Sequence, residues 1–273
     1  MDPGKQAQEF FSRYAPAYTV SPSHRAGEDL HRLVALLAPA GRGRLLDVAT
    51  GSGHTALAMA SWVDEAVGLD LTPAMGAEFM RQARAHGFLG MRFVVGAVEA
   101  LPFPDGAFQW VTCRRAAHHF PDLPQALAEM KRVLAPNGRI GIVDMIAPAD
   151  PEAARFLNEL ERIRDLSHQR ALGLKEWREQ MKGTGLSLIA VEVVEEIQSW
   201  EQWWFPVPLD SAAAERALAY VSQAGPEAGE VLLPHPKGVM IRKRRGIMVA
   251  IRQPSSTSLP GSPVDVADPL QGA

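Results

Sequence analysis

The chain has 273 residues, 47% hydrophobic and 22% charged, with 28 basic against 31 acidic side chains and a formal charge of −3. That length suits one domain with an elaboration, and the apolar fraction is ordinary for a globular chain. A single cysteine, Cys113, excludes an internal disulfide framework, no apolar run is long enough to predict a membrane span, and the mild acidity argues against a nucleic-acid surface.

The first forty residues are amphipathic. Phe10, Phe11, Tyr14 and Tyr18 precede Leu30, Leu33, Val34 and Leu37 at helical spacing. This predicts an N-terminal helical lid over 1–40. Its start, Met1-Asp2-Pro3-Gly4, lacks the regions of a secretory signal, so a cytoplasmic protein is expected. From 41 to 147 strand and helix signals alternate. Strands are predicted over 45–49, 66–69, 93–95, 110–113 and 140–145, and helices over 55–61, 73–86 and 124–134. Thr72 before Pro73 reads as an N-cap with proline at the first helical position. Asn137-Gly138 is expected to end the last of these helices. Residues 148–252 read as a helical insertion with Trp177, Trp200, Trp203 and Trp204, closed by strand-like runs over 187–195 and 246–252. The remainder, 253–273, is rich in Pro, Ser, Gly and Asp and is expected to be disordered. The fold class that follows is α/β: a Rossmann-like, doubly wound sheet of about seven strands, mostly parallel with an antiparallel C-terminal strand, plus a helical lid.

The chemistry concentrates at Leu45-Leu46-Asp47-Val48-Ala49-Thr50-Gly51-Ser52-Gly53-His54-Thr55. A strand that turns abruptly into a helix needs residues without a Cβ at the turn, and the same turn lets a ligand approach the backbone. A second apolar strand ends in Asp70, where a carboxylate can accept both hydroxyls of a ribose. An adenosine-type cofactor is the expectation. Gly51-Ser52-Gly53-His54-Thr55-Ala56 also fits a dinucleotide pattern. Asp47, just before the turn, has no role in a dinucleotide site, but it can pair with the ammonium of a methionine-derived sulfonium. A Tyr-x-x-x-Lys pair, usual in one nicotinamide class, is also lacking.

Four blocks, over 45–55, 67–75, 93–108 and 132–138, together resemble class I S-adenosylmethionine-dependent methyltransferases. The similarity is to the bacterial small-molecule branch that includes the ubiquinone and menaquinone C-methyltransferases. The resemblance implies that S-adenosylmethionine is held by Asp47, Ala49, Thr50, Gly51, Gly53, Asp70, Leu71, Met75, Ala97, Val98 and Arg114. Ala49 stands where glycine is common, and Ala97 where an acid often meets the adenine amino group. Asp47 takes the ammonium, Asp70 the ribose and the Val98 N–H the adenine, whereas Glu99 reads as structural and His54 as a helix-start residue.

For the acceptor, the stretch Cys113-Arg114-Arg115-Ala116-Ala117-His118-His119-Phe120 follows the fourth strand. His118 and His119 are candidate bases there, and Arg114 is a candidate anchor for an anion; a structural role for each stands beside these. Arg164-Asp165-Leu166-Ser167-His168-Gln169-Arg170 with Glu176-Trp177 is similar to a segment that covers the site in some relatives. Tyr18, His24, His119, Arg164, His168 and Trp177 are therefore the candidate substrate residues, the alternative being a helix junction capped by Asp165 or Ser167. Arg242-Lys243-Arg244-Arg245 reads as exposed hairpin or loop charge. No metal is expected, because adjacent histidines should point apart. The function expected is methyl transfer to a small-molecule acceptor by a monomer or homodimer, without nucleic acid or a membrane span. A cofactor-binding regulator or partner subunit of the same fold is the alternative.

Overall fold

The computed structural model describes residues 3–39, 42–236 and 238–253. The expected disorder of the C-terminal tail falls on residues outside these, apart from Gln253. Three helices open the chain: α1 (Pro3–Val20), α2 (Pro22–Ala26) and α3 (Glu28–Leu37). Then come β1 (Arg44–Val48), α4 (His54–Met59), β2 (Glu65–Asp70), α5 (Pro73–Ala85), β3 (Met91–Val95), β4 (Phe108–Arg114), α6 (Leu123–Val133) and β5 (Leu134–Met145). The C-terminal part adds α7 (Pro151–Arg164), α8 (Leu174–Gly183), β6 (Leu186–Ser199), α9 (Trp200–Trp204), α10 (Ala212–Ser222), β7 (Leu232–His235) and β8 (Gly238–Arg252).

One sheet of eight strands runs in the order β3-β2-β1-β4-β5-β8-β6, with β7 paired to β8. The β1–β5 strands are mutually parallel and β8 runs antiparallel to its neighbours. The strand order reverses between β1 and β4, which opens a crevice at their C-terminal ends. β1 and β2 are buried on both faces because helices cover both, which explains their near-continuous apolar runs. Leu46, Val67, Val111 and Ile140 pack on one side of the sheet with α6; Leu33, Leu37, Met59 and Phe79 pack on the other.

Two local expectations need correction. Asn137-Gly138 does not end a helix: α6 stops at Val133, and Leu134 already pairs with Phe108 in the sheet. Pro136 explains this, since the residue before a proline is pushed out of the helical region. An eighth strand, β7, joins the seven expected, in the stretch read as helical insertion, and 242–245, read as exposed hairpin or loop charge, belongs to the first half of the long strand β8, which pairs with β7 and the end of β6. Thr72 occupies the N-cap position of α5, but its side chain makes no capping bond.

Candidate functional site

A cavity of about 560 Å³ lies over the crevice, within the range of about 300–1,000 Å³ that small-molecule sites occupy. Its floor comes from the ends of β1, β2 and β4, and α1 lies over it. Gln8 in α1 donates to the Leu71 carbonyl at 2.9 Å, and Phe11 meets the His119 ring edge-on at 5.1 Å.

At the glycine turn, Ala49, Gly51 and Gly53 all have positive φ (49°, 55° and 88°). A side chain on Gly53 would strike the Phe79 ring at 2.5 Å, so this glycine is needed for packing. A Cβ on Gly51 would meet only the Met75 sulfur, at 4.0 Å; the space beside its backbone is the cavity. Gly53 therefore serves the fold, whereas Gly51 leaves its backbone open to the cavity. Ala49 tolerates a left-handed conformation that a glycine would hold without strain.

Two carboxylates face this turn. Asp47 is buried and accepts from the hydroxyls of Thr50 at 2.6 Å and Thr112 at 2.7 Å. Burial pushes its carboxyl up to about 6, against the pull of those two bonds and of Arg114. Asp70 accepts from the N–H of Gly51 and of Thr72, both at 2.9 Å, and burial raises it as well. It thus ties the glycine turn to the start of α5, and each oxygen keeps a lone pair for a further donor. Leu71, Met75, Ala97, Val98 and Glu99 continue the wall, and Glu99 keeps Oε1 without a partner. His54 also lines the cavity, bonded to the Ser52 hydroxyl at 3.1 Å, and burial lowers it to about 4.

The histidine pair departs from expectation. His118 and His119 lie on a short 3-10 turn (Ala117–His119), and their ring centroids are 4.1 Å apart. Adjacent side chains point apart on a strand or an α-helix; the tighter turn brings these rings together. His118 Nδ1 pairs with Asp144 at 2.5 Å, and the same carboxylate accepts from the N–H of His118 and of Met145. His119 Nδ1 meets the Ser167 hydroxyl at 3.0 Å, and burial followed by His118 lowers it to about 4. Among the described residues no group of three or more His, Cys, Asp or Glu is arranged to hold a metal.

Of the candidate acceptor residues, Tyr18, His24, His118, His119 and Arg164 line the cavity, and two others do not. Trp177 is buried in the core with Met181 and Leu186, because α8 packs under the sheet rather than over the site. His168 sits behind the wall, with Nε2 bonded to Asn158 at 2.8 Å. Asp165 accepts from the N–H and hydroxyl of Ser167, so part of this segment is the junction that its sequence also allowed.

Arg114 lines the cavity, but its guanidinium grips Asp29 with two bonds of 2.9 Å and the carbonyls of Ser23 and His24. It anchors the N-terminal segment, and burial lowers it to about 10. Arg115 grips the same Asp29. The basic run lies in a hairpin strand, but half of it is not exposed charge. Strand alternation turns Lys243 and Arg245 inward onto the cavity, while Arg242 and Arg244 meet Glu195. Asp29, Arg115, Glu161, Gln198, Lys243 and Arg245 are parts of the site that sequence reading missed, whereas Trp203, one of the tryptophans that could be core or a roof over a planar substrate, lines the cavity. Period-2 alternation through the run at 242–245 was the signal available.

A model of the methyltransferase domain matches residues 46–142, the stretch that carries the glycine turn, Asp70 and the histidine turn. The uncharacterized methyltransferase YcgJ of Bacillus subtilis is 38% identical over 201 residues, 74% of this chain and 76% of that one. A demethylmenaquinone methyltransferase of Thermus thermophilus is 40% identical over 150 residues, 53% of this chain and 67% of its own. The crystal structure of the Bacillus protein superposes with a TM-score of 0.79 at 30% identity, covering 84% of this chain and all of the other. Among the described residues no helix is long and apolar enough to cross a membrane. Sequence, fold and crevice agree: the chain belongs to the class I S-adenosylmethionine-dependent methyltransferase family.

Proposed function

We propose that this cavity is where the protein transfers a methyl group from S-adenosylmethionine to a small-molecule acceptor. The observation that carries the reading is the open glycine turn at Gly51 flanked by two buried carboxylates whose protein partners are all neutral donors. Asp47 is raised by burial and is set to receive a cation, as the ammonium of the cosubstrate is. Asp70 accepts the ribose hydroxyls, and Leu71, Met75, Ala97 and Val98 enclose the adenine. The bound cosubstrate supplies a methyl group on positively charged sulfur. The protein then has to align the acceptor and keep water out, which α1 and the Trp203 wall do.

His118 is the base. With Nδ1–H donated to Asp144, Nε2 of this cavity-lining residue is left as the proton acceptor. Replacing His118 by Asn is expected to lower kcat by about 100-fold while cosubstrate affinity is kept. The reading needs no metal, so activity is expected to survive a chelator. Calorimetry with S-adenosylhomocysteine and with NAD tests the whole. Asp70→Ala should weaken adenosylhomocysteine binding by about 1–3 kcal/mol. Tight NAD binding with no adenosylhomocysteine binding would overturn it. Incubating labelled cosubstrate with metabolite pools then identifies the acceptor.

A further inference from the structure

A second part of the cavity wall is built from buried cations. Arg114, Arg115, Arg164, Lys243 and Arg245 all line the cavity, with side chains only 5–11% exposed. Three carboxylates serve the five: Asp29 takes Arg114 and Arg115, Glu161 takes Arg164 and Lys243, and Glu196 takes Arg245. None of these three acids lines the cavity. They stand behind the cations, so the enclosed space meets the positive groups. Two acids also line this side: Asp144 accepts from His118 and two backbone N–H groups, and Asp165 accepts from Ser167 and offsets part of the charge of Arg164 alone among the five cations.

Two further observations show that this clustering is incompletely compensated. Arg115 keeps Nη1 buried without any hydrogen-bond partner, and it holds a left-handed φ of 58° that a non-glycine residue rarely adopts. After burial, Arg115 is the largest influence lowering Arg245. Buried cations that repel one another and leave a donor unsatisfied are poor structural devices, but they suit an anion. Trp203 and Phe205 stand on the same wall and offer flat apolar surface.

We propose that the methyl acceptor is a small acid, with a carboxylate or phosphate held by Lys243, Arg245 and Arg115 and an apolar body against Trp203 and Phe205. This rests on the methyltransferase reading of the cavity. It excludes cationic amines as preferred acceptors and gives the basic end a function beyond folding.

A matched set of probes tests it. 2-Naphthoate, 2-naphthyl phosphate and uncharged 2-naphthamide are titrated by calorimetry into protein saturated with S-adenosylhomocysteine. At least one acid is expected to bind about tenfold or more tighter than the amide, and the two acids distinguish carboxylate from phosphate. Lys243→Met leaves Glu161 bonded to Arg164 and Trp203, and Arg245→Gln leaves Glu196 bonded to Gln198, so neither variant strands an acid. Both variants should bind adenosylhomocysteine as the wild type does, while the advantage of the acid falls to within about twofold. Equal binding of amide and acids, no binding of either acid, or an advantage that survives both substitutions would overturn the proposal. Failure of the wild type to bind adenosylhomocysteine would remove the methyltransferase reading itself, and this measurement is separate from the others.

Discussion

The two ends of the cavity hold their charges in different ways. At the glycine turn, Asp47 and Asp70 are bonded by hydroxyls and backbone N–H groups, and no cation bonds to either. At the opposite end every buried cation has a carboxylate behind it, and those acids tie distant segments together. A charge held by neutral dipoles keeps its field for a ligand. A charge held by an ion pair gives most of its field to the fold, and only the surplus faces the ligand. The acid end should therefore govern cosubstrate binding at some cost to the empty fold, and the basic end should hold the fold together as well as set acceptor choice.

The sharpest way to break this comparison is Asp29→Asn. Asp29 is the shared partner of Arg114 and Arg115, which outweigh its burial and hold its carboxyl well below the usual range. Removing it leaves two buried guanidinium groups without a counter-charge, and breaking a buried pair in this way costs about 3–5 kcal/mol. Urea unfolding of wild type and variant should show a loss of that size. A loss under about 1 kcal/mol would mean that the arginines find other partners and that the basic end is not structural in the sense argued.

Gly51→Val acts at the other end and should show the reverse pattern. The branched side chain enters the cavity at a φ of 55°, so it blocks the ligand and adds local strain. Adenosylhomocysteine affinity should fall by about 100-fold, or ~2.7 kcal/mol, with the helical signal in circular dichroism retained. Normal binding would misplace the methionine pocket.

The same contrast explains how much of the molecule could be read from its sequence. Asp47, Gly51, Gly53 and Asp70 lie within one strand–turn–helix–strand unit, so local periodicity and turn chemistry expose the acid end. Asp29 meets Arg114 and Arg115, and Glu161 meets Lys243, across 85, 86 and 82 residues of chain (114 − 29, 115 − 29 and 243 − 161). No local pattern encodes such pairings. Trp177 and His168 lie away from the cavity for a related reason: a helix face can be assigned from spacing, but whether that face meets core or cavity depends on where the tertiary packing sets α8 and the end of α7. The run at 242–245 was legible in principle, because strand alternation separates Lys243 and Arg245 from Arg242 and Arg244. Reading it as exposed hairpin or loop charge left out the neighbouring apolar residues Val239, Ile241, Ile247 and Val249, which follow the same period.

The smallest effect concerns protons on Asp47. Burial raises its carboxyl to about 6, above its ordinary value, so in the empty protein the ionised form is disfavoured. The sign of the stability effect follows. The contribution of this group is fully present below the ordinary carboxylate range and is lost as pH rises through about 6. Asp47→Asn removes that penalty, because the amide can still bond Thr50 and Thr112. The empty variant should be more stable than wild type at pH 7 by about 1–3 kcal/mol, with the gap closing toward pH 4. Cosubstrate binding runs the other way. The ammonium needs the ionised carboxylate, so wild-type affinity should be flat above about pH 7 and fall about tenfold, or ~1.4 kcal/mol, for each unit below 6. In Asp47→Asn that pH dependence should vanish along with most of the affinity. Calorimetry with adenosylhomocysteine from pH 5 to 8 on both proteins measures this. An unchanged slope in the variant would show that another group carries the proton linkage and that Asp47 is a structural acid like Asp29.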